Sequence, residues 1–126
     1  MLFRSQRDVV RLEAEAALKA NNISLWLSKL NAARAPWGMA AVTDPGTATA
    51  RVDLMFRERA FALFASGHRL GDLRRLVRQY GRGAESVYPT GAYHKDGLQL
   101  GTDLQFIIPL TEKNNPNFTG CIDRNA

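Results

Sequence analysis

Apolar residues return every three to four positions as far as Tyr80, and after that the rhythm is lost. In residues 5–20, "SQRDVVRLEAEAALKA", Val9, Leu12 and Ala16 fall on one stripe, with Val10, Ala14 and Ala17 beside it. Strong helix formers fill the segment, with Asp8 early and Lys19 late, as the helix dipole favours. Asn21-Asn22 interrupts the pattern and offers a cap for the next helix. Ile23, Trp26, Leu27, Leu30 and Ala33 then recur at helical spacing over residues 23–33. Two helices with so short a join form an antiparallel hairpin. The alanine stripes of the first helix are spread too widely for one small partner helix, so an exposed apolar patch is expected on it.

Residues 36–49, "PWGMAAVTDPGTAT", read as a loop with a turn at Asp44-Pro45-Gly46. A third helix is predicted over residues 50–66. Residues 60–65 are apolar on every side, which predicts burial on every side. Gly67 is placed to end this helix in the left-handed conformation. A fourth helix is predicted over residues 71–80, with Leu70, Leu73, Leu76, Val77 and Tyr80 inward and Arg74, Arg75 and Arg78 on the other side. Gly81 and Gly83 stop it. Residues 84–103 show no helical period. "LQFIIPL", residues 104–110, reads as a short extended piece in which Pro109 excludes a central strand. The rest is turn-rich. The expectation is an all-α chain of tetratricopeptide-like helical hairpins with an irregular C-terminal segment: one region, residues 1–126, helical over 5–80 and irregular over 81–126.

Composition narrows this further. The chain has 126 residues, enough for one core, and 45% hydrophobic residues, as folded domains have. The net charge is +5, and thirteen of the seventeen basic residues are arginine. Eight of these lie between Arg51 and Arg82, against three acids, so the charge is local. The single cysteine, Cys121, excludes an internal disulfide framework and reads as a small packed residue. No stretch is long and apolar enough to cross a bilayer. The opening "MLFRSQRDVV" has no signal-peptide core, which taken alone predicts a cytoplasmic chain.

Candidate chemistry is sparse. His68 and Asp72 are four apart near a helix start, but no nucleophile or pocket accompanies them. The expected roles are structural: Asp72 charges the first turn and His68 packs at the corner. His68 and His94 have no further ligands at metal-binding spacing. No cofactor and no catalytic residue is assigned. Arg74, Arg75, Arg78 and Arg82 form a basic stripe, yet no nucleic-acid motif accompanies it, so nucleic acid is an unfavoured partner. Glu58 lies on the helix face of Leu54, Phe61 and Ala65, and its carboxylate needs a partner, expected among Arg69, Arg74 and Arg75. Trp37, Tyr88, Tyr93 and His94 lie in loops, where aromatic rings either plug helix ends or stack on ligands.

Three blocks of this sequence resemble the C-terminal part of SusD/RagB-like proteins. "RERAFALFASGHRLGDLRR", residues 57–75, resembles the family's Glu-Arg helix followed by Gly-His-Arg and Asp-Leu-Arg-Arg. It carries Glu58, Arg59, His68, Arg69, Asp72, Arg74 and Arg75. "RLEAEAALKANNISLWLSKLNAARA" resembles the preceding hairpin, whose second helix ends Leu-Asn-x-x-Arg, and "FIIPLTEKNNPNF" resembles the closing segment. The resemblance implies a binding protein and no enzyme: a lipoprotein on the extracellular face of the outer membrane that binds glycans or other nutrients. It implies a SusC-like TonB-dependent transporter as partner. The chain departs from the family in its short length and in lacking a signal peptide and an N-terminal lipid-bearing cysteine. The resemblance therefore reads it as a C-terminal fragment, with scaffold present and most of the ligand-binding part elsewhere. An intracellular tetratricopeptide-like adaptor and a basic nucleic-acid-binding module are the competing readings.

Overall fold

The computed structural model describes residues 4–100 and 108–119. The described residues are helical, without a named strand: α1 (Arg4–Lys19), α2 (Ile23–Arg34), a 3-10 turn (Ala35–Trp37), α3 (Ala48–Ala62), α4 (Arg69–Tyr80), α5 (Ala84–Val87) and α6 (Leu110–Lys113). The fold is all-α. The chain divides into two compact units, Met1–Phe64 and Ala65–Ala126. Among the described residues no helix is long and apolar enough to cross a membrane. Cys121 and residues 104–107 of the expected extended piece lie outside the described residues. Pro109 caps α6, and Asn115 turns the chain behind it by accepting a bond from the Asn117 N–H at 3.0 Å.

In the first unit α1 and α2 form the antiparallel hairpin that their spacing predicts, and α3 packs on α1. The join works as a helix end followed at once by a helix start. Asn21 adopts φ 55°, and the Asn22 N–H reaches back to Ala17 O at 2.8 Å and the Asn21 N–H to Leu18 O at 3.0 Å. These are the bonds of a left-handed C-terminal cap, in which asparagine substitutes for glycine. Asn22 then accepts the Leu25 N–H at 3.1 Å as N-cap of α2. Ala14, Ala17, Trp26, Leu30, Leu54, Met55 and Phe56 are buried. The opposite side of α1 keeps Val9 and Leu12 about half exposed, as its doubled apolar stripes lead one to expect.

The end of α3 departs from expectation. The apolar run of residues 60–65 predicts burial all round, but Phe61 is 74% exposed and Phe64 85%. The helix stops at Ala62, short of the expected residue 66, and Leu63 is its cap. Ala65 (φ 58°) and Gly67 (φ 80°) then turn the chain through the left-handed region. An all-apolar run reports hydrophobicity but not the direction of a partner, and here the chain leaves the helix before one is met.

The loop before α3 is tied down by side chains. Asn31 donates to Val42 O at 3.0 Å and accepts the Val42 N–H at 2.8 Å, which gives that backbone both bonds a strand neighbour would supply. Arg34 Nε donates to Ala40 O at 2.8 Å. Asp44 receives Arg51 Nε and Nη2, both at 2.7 Å, and the Gly46 N–H at 3.0 Å. Thr47 accepts the Ala50 N–H as N-cap of α3. The Arg51 guanidinium, and after it the Gly46 N–H, hold the Asp44 carboxyl down at about 2, from an ordinary 3.8.

In the second unit α4 ends at Gly81 (φ 64°), and α5 packs back on it. Residues 91–100 form a small hairpin around the antiparallel bridge Ala92–Gln99, with Tyr93 N–H to Leu98 O at 2.6 Å and Leu100 N–H to Gly91 O at 2.8 Å.

This packing has two measurable consequences. Leu30→Ala, which empties a site 1% exposed, is expected to cost about 2–5 kcal/mol in urea unfolding, whereas Phe64→Ala stays within about 0.5 kcal/mol. Equal losses would contradict the burial pattern. The Asp44 carboxyl, depressed when folded, contributes stability that is present above its ordinary 3.8 and is lost as pH falls toward about 2. Asp44→Asn should therefore flatten the fall of melting temperature across that acid window, with a difference that shrinks in high salt because the pair is exposed.

Candidate functional site

Glu58, Arg59, Asp72 and Arg75 of the "RERAF…GHRLGDLRR" block are engaged with other side chains, and helix geometry explains how the first two reach different helices. Glu58 and Arg59 are neighbours on α3, about 100° apart around its axis. Both are buried, at 8% and 5% exposure. Glu58 Oε2 receives a short hydrogen bond from Arg34 Nη1 on α2, and Arg57 Nη2 stands 3.9 Å from its other oxygen. Arg59 Nη1 stands 4.0 Å from Glu15 Oε2 on α1, and Lys19 Nζ is 3.9 Å from Glu15 Oε1. Glu13 and Lys29 add a more exposed pair between α1 and α2 at 2.7 Å.

The partner of Glu58 is therefore Arg34, and the expectation of Arg69, Arg74 or Arg75 is corrected. Arg34 is the arginine of Leu30-Asn31-Ala32-Ala33-Arg34. Each distinctive residue of that short run has a task. Leu30 fills the core, Asn31 holds Val42, and Arg34 holds both Ala40 O and Glu58. Sequence reasoning gave no role to Glu15, nor to Asn31 and Arg34, which it met only as part of the Leu-Asn-x-x-Arg pattern. The available signal for Glu15 was Arg11, four residues earlier on the same helix and equally buried.

In the second unit Asp72 is 5% exposed and receives Arg75 Nη1 at 3.0 Å, while its N–H bonds His68 O. That fits its expected place in the first turn of α4. His68 does not pack as expected: it is exposed, and Ser66 Oγ holds its Nδ1 at 2.9 Å. The imidazole is thus engaged locally by Ser66 and not by the Asp72 carboxylate. Arg69 is exposed and Arg74 half-buried. Among the described residues no three His, Cys, Asp or Glu side chains converge as a metal site would require.

The aromatic residues have different surroundings. Trp37 ends the 3-10 turn of the first unit and is 55% exposed. The other three belong to the second unit. Tyr93 and His94 meet edge to face, with ring centroids 4.7 Å apart. The bridge register sets Tyr93 opposite Leu98, and side chains two apart share a face, so Tyr93, Leu98 and Leu100 form one apolar hairpin face. Their exposures are 37%, 68% and 37%. The sequence does not single out either leucine, because two short residue pairs across a turn leave too brief an alternation to read. Tyr88 caps the end of α5 and is half-buried. Burial raises its phenol above the ordinary value, and Arg74 and Arg78 pull the other way.

No protein family matches the chain, and neither a curated protein nor a solved structure does.

Breaking the Arg34–Glu58 pair is expected to be severe. Arg34→Ala or Glu58→Ala leaves a buried charge without its partner and should cost about 3–5 kcal/mol in urea unfolding. The double change to Met and Leu should recover most of that loss. Single losses below about 1 kcal/mol, the range of exposed pairs, would show that the pair is incidental to the fold.

Proposed function

We propose that this chain is the C-terminal scaffold part of a SusD-like glycan- or nutrient-binding protein, working with a SusC-like TonB-dependent transporter at the extracellular face of the outer membrane. Its work is binding, without catalysis. The reading also takes the helical part as tetratricopeptide-like, with α1 and α2 as one of its hairpins. The observation that carries it is the exposed apolar face of the 91–100 hairpin. Tyr93 shares that face with Leu98 and Leu100, with His94 against its ring. A sugar ring has an apolar face that stacks on such a surface, while its hydroxyls are met by a few polar groups. The resemblance supports the same reading, because three residues of its blocks, Arg34, Glu58 and Arg59, reach from one helix to another or to a loop. Those charges are taken up in the scaffold, and the aromatic loops are left to meet a ligand.

The test is a titration of the chain with neutral oligosaccharides, with Trp37, Tyr88, Tyr93 and His94 each changed to alanine. Loss of one stacking ring from an exposed position should weaken binding by about tenfold, or 1.4 kcal/mol, with the melting temperature unchanged. Tyr93→Ala is expected to have the largest effect. A chain that binds no glycan, or binds equally well after all four changes, would remove the glycan site from these residues. Retention on nucleic acid that falls steeply with salt would favour the basic-module reading instead.

A further inference from the structure

The hydrogen bonds of the 91–100 hairpin flank its bridge and do not join the bridged residues themselves. Tyr93 N–H meets Leu98 O on one side of the Ala92–Gln99 bridge, and Leu100 N–H meets Gly91 O on the other. Ala92 and Gln99 are thus the non-hydrogen-bonded pair of the ladder, and their N–H and C=O groups point outward along its two edges. Both residues are exposed, and neither has a hydrogen bond among the described residues. The two edges differ. On the first, Gly91 at φ 87° takes the chain out of line beside Ala92. The second, Leu98-Gln99-Leu100, has no positive φ and no charged or proline residue. Native sheet edges are commonly blocked by lysine, proline or a bulge, and this one has none of these.

We propose that the Gln99 edge pairs with the same edge of a second copy of this chain, antiparallel about a two-fold axis at Gln99. The pairing goes beyond the glycan reading and does not depend on it. Leu98-Gln99-Leu100 reads the same in both directions, which gives the self-complementary surface that a two-fold contact requires. The Gln99 residues of the two copies then exchange both outward peptide hydrogen bonds. Leu98 falls opposite Leu100 of the second copy, twice, at the positions where cross-strand side chains come closest. All four leucines lie on the Tyr93 face, so two small apolar faces merge into one. The hairpin itself favours this occupant. Two strands alone are marginal in water, whereas three or more with an apolar face are stable, and a second copy supplies two. A three-residue edge buries much less than the ~800 Å² per partner of a stable interface, so the dimer is weak and reversible.

Sedimentation equilibrium of the full chain, from about 10 µM to about 1 mM, is expected to show monomer passing to dimer in the upper part of that range. Gln99→Pro removes the outward N–H and none of the hairpin's own bonds, and should weaken association at least about tenfold. Leu98→Lys places a cation on the edge and against the apolar face of the second copy, and should weaken it as much. Both variants should keep the helix content by circular dichroism. Phe64→Ser removes a large exposed apolar side chain at the end of α3 and should leave association unchanged. A chain that stays monomeric at the highest concentration would overturn the proposal. So would a dimer that survives either hairpin change. Loss of the dimer with Phe64→Ser would assign the contact to α3 and overturn it as well.

Discussion

The arrangement of the first unit depends on two adjacent side chains of α3 that face different helices. A helix turns about 100° per residue, so Glu58 meets α2 through Arg34 while Arg59 meets α1 through Glu15. Each is nearly buried, and an ion taken out of water returns its cost only when its partner is in place. The hydrogen-bonded Arg34–Glu58 contact ties α2 to α3, while Arg59 approaches Glu15 Oε2 only to 4.0 Å and that oxygen has no hydrogen-bond partner among the described residues. Arg34 extends the constraint further, because its Nε holds Ala40 O while its Nη1 holds Glu58. One guanidinium sets the loop and the helix pair together.

Charges that look available in the sequence are spoken for: Glu58 by Arg34, Asp72 by Arg75, Asp44 by Arg51, and the His68 imidazole by Ser66. Among the described residues of the second unit, the 91–100 hairpin keeps Tyr93, Leu98 and Leu100 exposed.

The parts of the fold that are legible in the sequence are those with local causes. Periodicity locates the four long helices, Asn21-Asn22 the hairpin join, and Gly81 the end of α4. The errors have a common physical source. Period and propensity tell which residues share a face, but not which distant face they meet. Glu58 announces that it needs a cation, while the choice between Arg34 and the later arginines lies in tertiary geometry. Residues 60–65 announce apolar character, while the exposure of Phe61 and Phe64 depends on where the helix stops. The candidate site is readable only in part: Tyr93 and His94 stand out by type, whereas Leu98 and Leu100 join them through a register that no local rule reveals.

The use of buried charge has a reason in the composition of the helices. The buried face of α1 offers Ala14 and Ala17 to the hairpin, side chains with little area and no distinctive shape, while α2 offers Trp26 and Leu30. Alanine surfaces let helices approach closely but discriminate poorly between one register and the next. A small apolar contact tolerates sliding by a turn, whereas a buried carboxylate displaced from its guanidinium by the same turn loses its compensation outright. Glu15 stands beside Ala14 on α1, and Glu58 and Arg59 are buried on α3, so charges whose burial depends on a partner accompany that small apolar contact.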